Sequence, residues 1–236
     1  MNAHPVTKNC ELPYKMGEHV VFGISPLNSY FSLENIMALS HWATGHFKSF
    51  SLFIPDEPTV YTLLALGYEK EKARKKAIKQ CKYLKTKCLK ALANLDIPES
   101  ETQEKILDFN FLGENTQYLS SLRFYEEKYM NDISFKRGCL ETSKYVIQNN
   151  TQRIDDDMLE IAAKYLLAEL PIFFNSAKIL NKKSSVFCYR NCFPFIQHIL
   201  ERKSSVEVSE NQGYIVVDVE SDMAATSAPN PSNSND

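Results

Sequence analysis

Apolar residues in this chain form a few short unbroken runs, separated by longer stretches in which they recur every three or four positions. His19 to Ser25, HVVFGIS, has no polar face and ends on Gly and Ser, the pattern of a strand buried on both sides. Ser49 to Ile54, closed by Pro55, predicts a second such strand, and Ile106 to Leu112 a third. Between the first two, Leu33, Ile36, Met37 and Leu39 keep helical spacing over Ser32 to His46, with Ser32 placed to cap the helix. Asp155 to Leu180 predicts one long helix interrupted at Pro171. After it come a strand at Ser185 to Tyr189, a helix at Phe193 to Arg202 and a last strand at Tyr214 to Val219. This alternation predicts an α/β fold, a Rossmann-like parallel sheet flanked by helices, whose ligands bind beyond the carboxyl ends of the strands. Residues 1–17 read as an N-terminal extension, 18–220 as a single domain and 221–236, rich in Ser, Asn, Pro and Ala, as a disordered tail.

One helical stretch carries most of the unevenness in charge. From Glu69 to Asn94, Ala73, Ala77, Cys81, Leu84, Cys88, Ala91 and Leu92 fall on one side of the helix. Lys72, Lys75, Lys76, Lys79, Lys82, Lys87 and Lys90 fall on the other. Ten of the 27 Lys and Arg lie between Lys70 and Lys90, leaving 17 bases against 27 acids elsewhere, a balance of −10 behind the overall −2. A lysine ladder is often only a solvated face. Here too few acids interleave for i,i+4 pairing, so the residues repel one another until a polyanion meets them. Tyr83 is the only aromatic among them, which favours contact with the backbone of a structured RNA over base stacking.

Composition removes several function classes. No two of the seven glycines are closer than six positions, which excludes the phosphate loop, the dinucleotide fingerprint and the two-glycine hydrolase elbow. No nucleotide cofactor and no ATP are therefore expected. The six cysteines form no CxxC pair and have no histidine at metal spacing, so they read as reduced thiols, with no metal site. Met1 to Lys8 does not resemble a signal peptide and no apolar run is long enough to span a bilayer, which leads to the expectation of a cytoplasmic protein.

Two places carry candidate chemistry. In GISPLNSY, Ser25 follows the first strand at the edge where such sheets bind ligands. A serine there commonly serves as a turn residue. Gly23 nonetheless allows close backbone approach and Asn28 supplies an amide, so the segment is compatible with acyl transfer to Ser25. In KYLLAELPIFF, Tyr165 and Glu169 share a helix face that is otherwise apolar. A neighbour could satisfy that carboxylate, or it could receive a cation such as the ammonium of an amino acid.

Ser25 with its flanking motif, Tyr165 to Pro171 and the lysine-rich helix between them together resemble the cyclodipeptide synthase family. The resemblance covers roughly Glu18 to Arg202. It implies the catalytic-domain fold of class I tyrosyl- and tryptophanyl-tRNA synthetases. It also implies an aminoacyltransferase that uses two aminoacyl-tRNAs to make a 2,5-diketopiperazine by a ping-pong route, through an aminoacyl and then a dipeptidyl ester on Ser25. By the same resemblance Gly23 and Asn28 shape the site, Tyr165 and Glu169 hold the α-amino group, and Tyr189 completes the pocket. Arg190 stands where the family has His or Pro. Phe187, two residues before Tyr189, is a candidate pocket-lining position. The lysines would bind tRNA, and the protein is expected to act as a monomer. Two competing functions use the same residues. A serine esterase or acyltransferase independent of tRNA predicts a His–acid pair beside Ser25, and a non-catalytic tRNA-binding module would tolerate Ser25→Ala.

Overall fold

The computed structural model describes residues 1–95, 97–148, 151 and 153–218. Its elements in chain order begin with β1 (Asn2–Pro5), α1 (Glu11–Met16), β2 (His19–Gly23), α2 (Leu33–His46) and β3 (Ser49–Phe53). Then come α3 (Thr59–Ala65), α4 (Lys70–Ala93), α5 (Glu99–Glu104), β4 (Ile106–Leu107), α6 (Phe109–Glu114), α7 (Thr116–Asn131) and α8 (Ile133–Ile147). The chain closes with α9 (Asp156–Ile179), β5 (Ser185–Tyr189), α10 (Pro194–Leu200) and β6 (Gln212–Asp218).

The six strands form one sheet in the order β1-β6-β5-β2-β3-β4. All pairings are parallel except that of β1 with β6. Successive strands run outward from β2 in one direction through β3 and β4, and from β5 in the other through β6. The strand order therefore reverses between β2 and β5, the place where an open α/β sheet leaves a crevice.

Strand alternation divides the core into two layers. Val20 and Phe22 of β2 pack with α2 and α4, together with Leu52, Val186 and Ile215. Val21 faces the opposite layer, where Phe187 and Tyr214 meet Leu170, Phe173 and Phe174 of α9. Both faces of β2 are dry, and this is why its sequence shows no polar alternation.

Four local differences from the sequence pattern have physical causes. The predicted strand at Ile106 to Leu112 stops at Leu107, because the Asp108 carboxylate accepts from the Phe111 amide at 3.3 Å and starts α6. β1, with its half-exposed edge pattern, is too short to announce itself in the sequence. The last strand begins at Gln212, two residues earlier than expected, while Val219 and the expected tail lie outside the described residues.

The fourth difference is in α9, which passes through Pro171 and departs from helical geometry at Asn175 instead, with φ −145° and ψ 17°. The Gln212 side chain causes this. Its Nε2 donates to the Phe173 carbonyl at 3.1 Å and its Oε1 accepts from the Ala177 amide at 3.0 Å. Those two groups would bond each other in an unbroken helix, so an amide side chain has been inserted into the ladder.

Among the described residues no helix is long and apolar enough to cross a membrane, and all six cysteines are free.

Candidate active site

The crevice between β2 and β5 opens into a cavity of about 520 Å³ that gathers Gly23, Ser25, Asn28, Tyr165, Glu169, Phe187 and Tyr189 on its walls. Residues up to 164 positions apart in the chain meet there through hydroxyl contacts.

Ser25 follows the carboxyl end of β2 by two residues, and Tyr189 is the last residue of β5. The Tyr189 hydroxyl donates to Ser25 Oγ at 3.0 Å and accepts from Asn28 Nδ2 at 3.2 Å. Asn28 Oδ1 in turn accepts from the Tyr30 amide at 3.0 Å, which fixes the loop as an Asx turn. Leu27, at the position where a hydrolase elbow carries its second glycine, takes φ +66° and stores left-handed strain in the loop.

Tyr165 lies one helical turn before Glu169 on α9, and its hydroxyl faces both Glu169 and Ser25. Burial without a cation pushes the Glu169 carboxyl up to about 8, a rise that the Tyr165 hydrogen bond only partly opposes. Burial and the nearby Glu169 raise Tyr165 well above its ordinary value, and burial likewise raises Tyr189. At neutral pH the site therefore holds a protonated acid and two neutral phenols around one alcohol.

Gly23 has a packing reason as well as a backbone one. A Cβ there would meet the Phe187 ring at 2.5 Å and Tyr189 at 3.3 Å. The space that the sequence pattern offered to a ligand carbonyl is thus filled by Phe187, itself buried against Phe173 with ring centroids 4.4 Å apart. Further walls come from α3 and the residue that caps it, with Thr59, Thr62 and Leu66, and from α8, with Thr142, Ser143, Val146 and Ile147. Sequence reasoning missed these two helices. Their threonines and serines carry no motif, and only tertiary packing turns them toward Ser25. No histidine lines the cavity.

A larger groove of about 1320 Å³ runs between α3 and α4 on one side and α7 and α9 on the other. It contains none of the hydroxyls gathered around Ser25, and its Lys85 is already paired to Asp108 at 2.8 Å. The chemistry points to the smaller cavity.

On α4 the buried face consists of the seven residues that the helical projection selects. Lys72, Lys75, Lys79, Lys82 and Lys90 are exposed. Lys76 and Lys87 are half-buried and already engaged. Lys76 reaches the Tyr68 ring and hydroxyl, and Lys87 Nζ donates to the Phe31 carbonyl at 3.1 Å. Lys87 thus joins α4 to the loop that carries Ser25.

Comparison with known proteins places this arrangement in a family. The family model described as Cyclodipeptide synthase matches residues 1–219. A cyclo(L-leucyl-L-leucyl) synthase of Staphylococcus haemolyticus is 30% identical over 225 residues, covering 90% of this chain and 92% of the relative. A solved cyclodipeptide synthase structure from Staphylococcus haemolyticus superposes with a TM-score of 0.84 at 29% identity, covering 91% of this chain and 97% of that one. The Mycobacterium tuberculosis protein reported as relating cyclodipeptide synthetases to type I tRNA synthetases has a TM-score of 0.81 at 24% identity, over 91% of each chain. With the full described length matched and the α/β fold shared, the chain belongs to the cyclodipeptide synthase family, enzymes that build cyclic dipeptides from aminoacyl-tRNA.

Proposed function

We propose that Ser25 is the nucleophile of a ping-pong cyclodipeptide synthesis and that Glu169 manages the proton of the reacting amine. In the first half-reaction Ser25 Oγ attacks the carbonyl carbon of an aminoacyl-tRNA. A new ester forms, the bond from that carbon to the ribose oxygen breaks, and this oxygen takes up the proton that Ser25 gives up. One ester replaces another, so no nucleotide is needed to drive the step. Tyr189, held by Asn28, orients Oγ.

In the second half-reaction the amine of the Ser25-bound residue attacks the ester of a second aminoacyl-tRNA, leaving a dipeptidyl ester on Ser25. The free amine of the dipeptide then attacks that ester, closes the six-membered ring and restores the Ser25 hydroxyl. Both amines must lose a proton to react. Burial raises the Glu169 carboxyl toward the range in which an α-amino group titrates, so the two are suited to share a proton. Tyr165 stands between Glu169 and Ser25, where it hydrogen-bonds the amine or passes the proton.

The observation that carries this reading is the buried carboxyl within the same set of contacts as Ser25. An esterase needs a basic partner for its serine, and the cavity offers Tyr165, Glu169 and Tyr189 but no histidine. The exposed lysines of α4 are the tRNA-binding surface, and the protein acts as a monomer. The apolar walls, Leu66, Val146, Ile147 and Leu166 among them, favour hydrophobic aminoacyl groups. Expression in a bacterial culture, with diketopiperazines read by mass spectrometry of the medium, tests the assignment. The unsubstituted protein should yield a cyclic dipeptide of apolar residues and Ser25→Ala none. Undiminished product from Ser25→Ala would remove Ser25 from the mechanism.

A further inference from the structure

Between the lysine ladder and Ser25 stands one more cation. Arg190 follows Tyr189 directly, at the carboxyl end of β5, and its side chain is exposed. The guanidinium lies over the Tyr30 ring, 4.5 Å from its centre. Tyr30 packs edge-on against Phe31 with centroids 5.1 Å apart, and Phe31 lies 5.9 Å from the Tyr189 ring. The Phe31 carbonyl is the acceptor for Lys87. Among the described residues Arg190 forms no ion pair, although this chain has more acids than bases.

A guanidinium stacked on an aromatic ring keeps its in-plane N–H groups free, and those groups match the oxygens of a phosphate. The contact with the Tyr30 ring restrains the side chain, which reduces the freedom to be lost on binding. Position decides which phosphate. When the terminal ribose of an aminoacyl-tRNA brings its ester to Ser25, the nearest phosphate lies one nucleoside away, just outside the cavity. Arg190 and Tyr30 do not line the cavity, but each is next in the chain to a residue that does, Tyr189, which holds Ser25, and Ser29. Lys82 and Lys90, both exposed, continue the positive track along α4, while Lys87 ties that helix to the Phe31 carbonyl of the same loop.

We infer that Arg190 binds the last internucleotide phosphate of the aminoacyl-tRNA, so that the 3′-terminal nucleotide is clamped between the lysine helix and Ser25. This inference rests on the Ser25 reading above. It makes Arg190 a substrate-binding residue, and Tyr30 a positioning residue that acts through it.

The test pairs a protein change with a substrate change. Labelled aminoacyl-tRNA is prepared with either the native linkage or a neutral methylphosphonate before the terminal adenosine, and the rate of Ser25 acylation is measured at limiting tRNA. The unsubstituted enzyme should lose about tenfold with the neutral linkage, the size of one charge-assisted contact. Arg190→Gln should lose about tenfold with native tRNA and less than twofold more with the neutral linkage. Arg190→Lys should fall between the two proteins on native tRNA. The salt slope of the reaction should drop by about 0.7 in Arg190→Gln, the value for one single-strand phosphate. A methylphosphonate penalty equal in both proteins, or absent from the unsubstituted enzyme, overturns the inference. If Arg190 merely props the loop through Tyr30, Arg190→Gln will slow both substrates alike. Failure of the Ser25 reading looks different, since native tRNA would then leave no label on Ser25 in any of the proteins.

Discussion

Glu169 is a buried carboxyl whose position costs the free protein stability. The carboxyl is buried with no cation and is held protonated up to about 8. In the proposed mechanism the substrate's ammonium supplies the missing charge. Glu169→Gln should therefore reduce diketopiperazine formation by about 100-fold or more, and should stabilise the unliganded protein at pH 8, as read from thermal midpoints. Loss of stability along with activity would mean that Glu169 is a structural group. A second residue-scale prediction concerns Leu27, whose φ of +66° suits glycine better. Leu27→Gly should raise stability by about 1 kcal/mol in chemical denaturation. It should also lower the acylation rate if the strained loop holds Ser25 in register. Much of this site was readable in the sequence, because GISPLN and YLLAELP keep their residues close together. The Asn28–Tyr189 bond was not, since it joins positions 161 apart that no local pattern connects.

Elements differ in how far their sequence dictated them. The buried face of α4 could be read residue by residue, because a 24-residue helix repeats its period often enough to define a stripe. β4 has two residues and β1 four, and their existence depends on neighbours already in place. The kink in α9 was expected at Pro171 and occurs at Asn175, since the cause is a glutamine 37 residues beyond Asn175 in another element. Gln212→Ala should destabilise the fold by about 3 kcal/mol, because it strips partners from the buried Phe173 carbonyl, Ala177 amide and Ser176 hydroxyl. Chemical denaturation reads that loss directly, and a change within 0.5 kcal/mol would mean that α9 straightens and restores its own bond. On α4, Lys75, Lys79 and Lys82 are exposed, and replacing all three by Ala should flatten the salt dependence of acylation by about 2 to 3 in log–log slope. Lys87→Ala belongs to a different class. It should slow acylation with a smaller change in slope, because Lys87 Nζ is already committed to the Phe31 carbonyl.

For the whole molecule, two buried groups set opposing pH dependences. Glu169 ionises near 4.5 when unfolded and about 8 when folded, so the folded state holds the extra proton between those values. Stability falls as pH rises through that window, by up to about 1.4 kcal/mol per pH unit. His19 behaves in the opposite sense. Burial holds its folded value down to about 3, against 6.5 unfolded, so its contribution is complete above pH 6.5 and is lost as pH falls toward 3. The two slopes cancel between 4.5 and 6.5, and the free protein should show a stability plateau there. Glu169→Gln should remove the decline on the alkaline side and leave the acid side intact. A decline from pH 6.5 to 8 that persists in Glu169→Gln would place the responsible group elsewhere. The overall charge of −2 has a comparable division, with a basic helix beside the site and an acid excess elsewhere, which on the proposed reading would keep RNA to one face.

A covalent intermediate on Ser25 can be located directly. The enzyme is mixed with a single aminoacyl-tRNA, quenched in acid within seconds and digested, and the peptides are weighed by mass spectrometry. The peptide containing Ser25 should gain the mass of one aminoacyl residue, the gain should disappear under mild base, and it should be absent from Ser25→Ala. An adduct on a different peptide, or product formation with no adduct on Ser25 at any quench time, would contradict the mechanism.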